Sequence, residues 1–446
     1  MKILVLGGGG REHALAWKLA LSPSVRTITS APGNPGMAEL GEVVPDLEIT
    51  DPEAVRTYAK DMDLVVVGPE APLAAGVVNA LAEAGIPAFG PTKAAARLES
   101  SKSYAKQVMA RAGVPTPAAS SFDDGGAAKA HLRQTAGPYV VKADGLAAGK
   151  GVLVTDDQAE AGRWVDHCFR GGFGDAGRRV VIEEYLHGPE LSVLALCDGE
   201  GVVPLPPARD YKPLADGDTG PNTGGMGCYS PVPELPPGLA DWVVERIMRP
   251  VIRELAAQAV TYWGVLYAGL VLTGKGIKVL EFNCRFGDPE AQVILPRLEG
   301  DLAELLVACV EGDLARHPPR WSPEAAVDVV LAAEGYPGPP RTGDPIGGLV
   351  EAAAIPGVLV FHAGTAPGPV TSGGRVINAV GTGPDLATAR RRAYRAAEVI
   401  EFPGKHYRTD IARPSLPLPF PPPRGEGEGD RGEGEGGGRV GEGGLT

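Results

Sequence analysis

Two short apolar runs, residues 3–6 and 64–67, constrain what the amino-terminal part of this chain can become. Each leads through a turn into helical spacing: four glycines at 7–10 precede 13–20, and Gly68-Pro69-Glu70 precedes 76–84. Strands this short and this uniformly apolar are buried on both faces, and their alternation with helices implies a parallel, doubly wound sheet over residues 1–100. The segment 86–91, rich in proline and ending Phe89-Gly90-Pro91, closes the unit.

Beyond residue 100 the texture changes. A helix at 101–112 is followed by Pro115 and Pro117, strands at 139–142 and 152–155, a helix at 157–169 and a strand at 179–183. These elements read as a small α+β lid lobe, about 119–188, inside a unit spanning 101–318. The same unit holds a Gly/Pro-rich loop at 217–229, a helix near 239–257 and a strand ending at Asn283. A third unit, α+β in character, is expected over 319–413, with strands at 326–333 and 374–380 and a helix at 385–400. The chain is therefore α/β and α+β multidomain, as 446 residues exceed what one core serves. Residues 414–446 turn to closely spaced prolines and then Gly/Glu repeats; with little apolar surface to bury, they are expected to be disordered.

A formal charge of −13 and a pI near 5.2 argue against a nucleic-acid binder. Five scattered cysteines without a C-x-x-C pair argue against a disulfide framework or zinc site, and reduced thiols are expected. The apolar stretch after Lys2 is too short for a signal-peptide core and no run reaches membrane-spanning length, so a cytoplasmic location is expected.

The densest chemical pattern is Glu281-Phe282-Asn283-Cys284-Arg285-Phe286-Gly287-Asp288-Pro289-Glu290. Side chains alternate along a strand, so Glu281 and Asn283 share a face. A carboxylate and an amide oxygen so placed, next to an arginine, suit a hard cation beside a phosphate. An ordinary polar strand end is the plainer alternative. At the amino terminus Gly7 to Gly10 open a helix, where free N–H groups bind phosphate. Glu12 and His13 stand where G-x-G-x-x-G needs its last glycine, which disfavours a dinucleotide site. The phosphate of a smaller sugar, with Arg11 as counter-charge, fits better; a tight turn without ligand is the alternative. Lys142 to Gly151 (KADGLAAGKG) lacks the P-loop order, yet small residues between lysines can fold over a triphosphate; it is otherwise a plain mobile loop. Around Glu183 and Glu190 a strand end offers backbone groups to an adenine edge and a carboxylate to ribose hydroxyls, unless both are solvated surface charges.

Together Lys102, Lys142, the E-x-x-L connector at 183–186, Glu190 and E-x-N-x-R at 281–285 resemble an ATP-grasp ligase. The strings GGGGREHALA (7–16), VGPEAPL (67–73), KADGLAAGKG (142–151), DTGPNTGGMG (218–227) and EFNCRFGDPE (281–290) resemble, more narrowly, the phosphoribosylamine–glycine ligase family. The resemblance runs from Met1 to about Arg413. It implies ATP-dependent ligation of glycine to 5-phosphoribosylamine through a glycyl phosphate, in de novo purine biosynthesis. It also implies ATP as cosubstrate, Mg²⁺ or Mn²⁺ as cofactor, and small-molecule partners without nucleic acid or membrane. Hand-off of the short-lived amine from the preceding enzyme is a further expectation.

By the same resemblance Glu281 and Asn283 are metal ligands, and Lys142 and Arg285 neutralise the transferred phosphoryl group. Lys102, Gly145, Gly149, Lys150 and Gly151 join Lys142 around the nucleotide phosphates; Glu183 and Leu186 face adenine, and Glu190 the ribose. Asp210, Asn222, Thr223, Gly224, Gly225 and Met226 surround glycine. Gly9, Gly10, Arg11, Glu70, Asp288 and Arg285 serve the sugar phosphate and its amine. Asp288 and Glu290 read equally well as partners of Arg285, and His13 as a structural residue. The strand before Gly276 offers no acidic side chain in Tyr267-Ala268-Gly269-Leu270, so water and phosphates must complete the metal shell. Two departures stand out: Gly8 where the family often has Asn, and Arg209 where Gln is usual. Other ATP-grasp ligases and biotin-dependent carboxylase subunits share Lys142 and the E-x-N-x-R strand but do not need the loop at 219–227. A nucleotide-binding oxidoreductase would need the missing glycine, and a non-catalytic nucleotide sensor is the remaining alternative.

Overall fold

The structure, a computed structural model, describes residues 1–147 and 150–413. The expectation for 414–446 lies outside the described residues.

The amino-terminal sheet is wholly parallel, in spatial order Glu42–Val43, Thr27–Pro32, Lys2–Gly7, Leu64–Val67, Ala88–Phe89. Leu64–Val67 is buried throughout, as a four-residue apolar run between two helical layers must be. Chain order reverses direction between Lys2–Gly7 and Leu64–Val67. Open α/β sheets bind ligands at such a switch point, outside the carboxyl ends of the strands. The glycines after Gly7 and the Gly68-Pro69-Glu70 turn both sit there.

The central unit is built on an antiparallel sheet, Val202–Pro204, Glu190–Asp198, Trp263–Thr273 and Gly276–Asn283. Above it the lid lobe is a second antiparallel sheet, Ala119–Phe122, Val180–Glu183, Tyr139–Ala143 and Val152–Thr155. Its helices Gly125–Gln134 and Gln158–His167 start at Asp124 and Asp157, whose carboxylates accept amide hydrogen bonds at 2.7 and 2.8 Å.

Two expectations are corrected. Residues 217–229, expected as a loop, contain the strand Thr219–Asn222, paired with Pro213–Ala215, and the strand Gly227–Ser230. The carboxy-terminal sheet, moreover, does not begin after residue 318. Its order is Arg209–Asp210, Gly227–Ser230, Ala325–Ala332, Arg375–Gly383, Val358–His362, so two strands come from the central unit. Such long-range pairing leaves no local signature, because the partner that satisfies the backbone is remote in sequence.

All five cysteines are buried free thiols. Among the described residues no helix is long and apolar enough to cross a membrane.

Helix Gly10–Ala20 packs against strand Val358–His362, joining the first and last units. His13 Nδ1 accepts a hydrogen bond from the His362 amide at 2.8 Å, and Asn34 Nδ2 donates to the Gly8 and His362 carbonyls at 2.9 Å each. Burial, aided by the neighbouring His362, pushes His13 from 6.5 down to about 3, and burial takes His362 to about 4. The unfolded chain takes up protons at both rings as pH falls through about 6.5, while the folded chain refuses them until far lower. The stability supplied by these neutral rings is therefore full above that value and lost as pH falls toward 4 and then 3. Replacing His13 by Asn, whose carboxamide oxygen can still accept the His362 amide, is expected to flatten the fall in thermal-unfolding midpoint below about pH 6.5. An unchanged pH slope would show that His13 takes no part.

Candidate active site

Glu281 and Asn283 end the strand Gly276–Asn283, paired in register with Gly269 and Tyr267 across a bulge. With Gly opposite, nothing crowds the Glu281 carboxylate from its neighbouring strand. Both residues line a cleft beneath the lid, with Leu146, Ala147, Gly151 and Val152 as its roof. Burial opposes ionisation of Glu281, but Lys212, Lys142, Lys102 and Arg285 outweigh it and hold the carboxyl below its ordinary value. It is an anion in a cationic surround.

The lid lysine is held from the next strand. Lys142 Nζ lies 2.7 Å from Glu183 Oε2, and Lys106 Nζ lies 3.0 Å from Glu183 Oε1. All three side chains are withdrawn from water. Burial alone would lower the Lys142 ammonium, yet Glu183 and Glu281 raise it; Lys106 and Lys102 are lowered, burial there prevailing. Lys102 caps the geometry from below, donating to the Gly145 carbonyl at 3.3 Å, while Asp144 accepts the Ser103 amide at 2.6 Å. The Glu183 carboxylate thus serves two ammonium groups, which leaves the backbone of its strand end as the part that can face an adenine edge. Lys106 was not foreseen, although its place one turn after Lys102 on helix Lys102–Arg111 is a helical-face signal.

Arg285 is similarly committed. It pairs with Glu70 at 2.9 Å and Glu99 at 2.8 Å, and its Nη2 donates to Asn283 Oδ1 at 3.3 Å. Two carboxylates face its guanidinium, which orients Asn283 and ties in the amino-terminal unit from a position on the cleft wall. Glu70 is drawn to about 2, Arg285 and Arg11 outweighing burial. The Asp288 and Glu290 alternatives as partners of Arg285 do not hold. Asp288 bonds Arg375 at 3.2 Å and Gln292 at 2.9 Å, while Glu290 accepts from Ser192 Oγ at 2.7 Å and Tyr267 OH at 2.6 Å.

Asp210 reaches the cleft with one buried carboxylate oxygen, Oδ1, lacking any hydrogen-bond partner. Burial and then Glu290 push its carboxyl well above the ordinary range. A buried acceptor left open in this way marks the place of an absent donor. The loop around it is tight: Gly225 has φ +113°, and a Cβ there would sit 2.4 Å from Pro289 Cδ and 2.6 Å from Asp210 Oδ1. Thr223 Oγ1 donates to the Lys212 carbonyl at 2.7 Å and accepts the Gly225 amide at 3.0 Å. Arg375, from the carboxy-terminal unit, clasps the Gly224 and Asp288 carbonyls at 2.7 and 3.0 Å. Lys212, which also lines the cleft and pairs with Glu190 at 2.8 Å, was not foreseen; its position two residues after Asp210 is the available signal.

The structure brings together Lys102, Gly151, Glu183, Glu70, Asp210, Thr223, Gly224, Glu281, Asn283, Arg285 and Asp288 around one cleft, with Lys142 beside it. Other predicted residues stand apart. Met226 is fully buried in the core, and Asn222 is exposed on the hairpin. Arg11 is buried and bonded to Glu12 at 2.5 Å and to the Phe286 carbonyl at 3.2 Å, so it is no open counter-charge. Gly10 packs on Asn378 and Gln292, whereas Gly9 lies close to Asp288 Oδ2. Gly145 packs on Ala176, Lys150 is exposed and Leu186 is half-buried on the connector; Glu190 is engaged with Lys212. Gly149 lies outside the described residues.

The family models for phosphoribosylglycinamide synthetase match in three consecutive pieces: the N domain over residues 1–99, the ATP-grasp (A) domain over 100–291 and the C domain over 326–414. A phosphoribosylamine–glycine ligase from Streptomyces coelicolor is 53% identical over 420 residues, covering 92% of this chain and 99% of that protein. The crystal structure of phosphoribosylamine–glycine ligase from Thermotoga maritima superposes with a TM-score of 0.78 at 37% identity, covering 92% of this chain and all of that one. A biotin carboxylase from Campylobacter jejuni shares the fold at 16% identity, with a TM-score of 0.68.

Replacing Glu183 by Ala leaves two buried ammonium groups without their anion. The expected loss of stability is about 3–5 kcal/mol, read as a lowered midpoint in denaturant unfolding, with part regained at saturating ATP. A midpoint unchanged without ATP would show that the lysines do not depend on Glu183.

Proposed function

Because this chain belongs to the phosphoribosylglycinamide synthetase family, we propose that it joins glycine to 5-phosphoribosylamine, converting ATP to ADP and phosphate and yielding glycinamide ribonucleotide for purine biosynthesis. It is an ATP-dependent ligase. The observation that carries the proposal is that Glu281, Asn283 and Asp210, whose Oδ1 has no partner in the protein, line one cleft together with the small residues of the lid.

A glycine carboxylate is inert to amines. Transfer of the γ-phosphoryl group to it forms a C(O)O–P bond and releases ADP; the sugar amine then forms the C–N bond as phosphate leaves with the C–O electron pair. Such transfer is chiefly a matter of position and charge. Lys142, Lys102 and Lys106 meet the triphosphate oxygens, and Leu146, Ala147, Gly151 and Val152 above them exclude water. Asp210 accepts from the glycine ammonium, while Thr223 and Gly224 close around it. Glu70, an anion paired with Arg285 at the switch point, faces the sugar amine.

The donors fit a hard divalent cation. Glu281 is ionised, Asn283 presents an oxygen oriented by Arg285, and among the described residues no cluster of three or more ligating His, Cys, Asp or Glu forms a closed protein cage. One or two protein oxygens completed by phosphates is how Mg²⁺ binds in such sites, and Mn²⁺ takes the same donors. When bound, the ion supplies neutralisation of charge between the phosphates. A cytoplasmic setting and direct receipt of the short-lived amine from the enzyme that forms it belong to the same proposal.

Glycine-dependent ADP release in the presence of Mg²⁺ and the amine tests this reading, with bicarbonate in place of glycine as the control. Glu281→Gln is expected to lower turnover by on the order of 10²–10³. Full turnover in that variant would remove the metal assignment, and bicarbonate-dependent release without glycine would replace the ligase reading.

A further inference from the structure

The hairpin Pro213–Ala215 with Thr219–Asn222 leaves the cleft at Lys212 and returns to it at Thr223. Its second strand is exposed at every residue, so it has no core of its own. A two-stranded hairpin of this kind is marginal in water unless something else holds it. Yet its base fixes two cleft residues against each other, the Thr223 amide and hydroxyl both donating to the Lys212 carbonyl at 2.8 and 2.7 Å.

What holds it is the last stretch of the described chain. Arg408, only 1% exposed, is met twice by Asp410 at 2.8 and 2.7 Å, and reaches Asp218 at 2.9 Å and the Pro213 carbonyl at 3.0 Å. The Thr409 amide donates to Asp216 Oδ1 at 2.8 Å, and the Gly217 amide to Asp410 Oδ2 at 2.8 Å. At the base, the Ala412 amide donates to Tyr211 OH at 3.2 Å, and a Cβ on Gly227 would meet the Ile411 side chain at 2.8 Å. The strap is itself fastened to helix Leu386–Val399: Arg390 donates to the Ile411 and Thr409 carbonyls at 2.8 Å each, and Tyr394 OH to the Arg408 carbonyl at 2.9 Å. The first strand and the turn of the hairpin, from Pro213 to Asp218, are thus registered against residues 408–410.

We propose that this strap, with Arg408 at its centre, is a positioning device for the ammonium-binding side of the cleft, setting Lys212 and the loop 223–227 against Asp210. The inference rests on the ligase reading above. Arg408 touches no substrate; it acts through the hairpin. Its effect falls on glycine, because the hairpin springs from the Asp210–Lys212 strand end and not from the lid that holds the triphosphate.

The test detaches the hairpin from the strap and leaves the buried Arg408–Asp410 pair intact. Asp216→Ala combined with Asp218→Asn removes two exposed anchors, and Asn tolerates the positive φ of 55° at position 218. The expected result is a rise of about 10- to 100-fold in KM for glycine, the scale on which small misplacements act. KM for ATP stays within about twofold on the same ground, as the lid is untouched. Arg408→Met is expected to do the same, with Arg408→Lys restoring part of the glycine affinity. Glycine and ATP constants that move together, or a lowered unfolding midpoint with neither constant moved, would overturn the inference and leave the strap a purely structural tie. A wild-type enzyme without glycine-dependent ADP release would overturn the ligase reading and this inference with it, whereas an active wild type with unaltered variants overturns the strap alone.

Discussion

The arrangement turns on charges withdrawn from water and balanced against one another. An ammonium or carboxylate moved into a protein interior loses solvation that only a well-placed partner restores. Lys142 and Lys106 share Glu183, Arg285 is shared by Glu70 and Glu99, and Glu281 stands among cations without being consumed by one short pair. The first two sets hold the walls in place. The third leaves an ionised carboxylate among several cations, and Asp210 Oδ1 is a buried acceptor without a hydrogen-bond partner in the protein.

That balance explains why the cleft lies where several units meet. Glu70 enters from the parallel sheet, Lys142 and Glu183 from the lid, Glu281 and Asn283 from the central sheet, and Arg375 from the carboxy-terminal sheet. Each ion pair between them is also a tie between units. The shared sheet adds another, because Arg209–Asp210 and Gly227–Ser230 place the loop 223–226 on the edge of a structure begun by Ala325–Ala332. Chemistry and architecture therefore rest on the same contacts.

Much of this was legible beforehand. Four-residue apolar strands between glycine turns and helices admit few folds but a parallel sheet, and the alternation of Glu281 and Asn283 on one strand face required no knowledge of their neighbours. What could not be read was occupancy. Arg285 reads as an open cation in the sequence because its partners lie on other elements; only the fold sets Glu70 and Glu99 beside it. Met226 sits within a loop string that resembles a substrate loop, yet its side chain turns into the core.

Residue order by itself determined the strand-and-helix alternation, the small-residue lid between lysines and the oxygen donors two apart, since each depends on local geometry and side-chain chemistry alone. Tertiary structure decided which charges remain free, which strands complete the last sheet, and that the segment around Arg408 braces the hairpin beside Lys212. The physical reason is common to all three: electrostatic and backbone partners are chosen by distance in space, and separation along the chain carries almost no information about it.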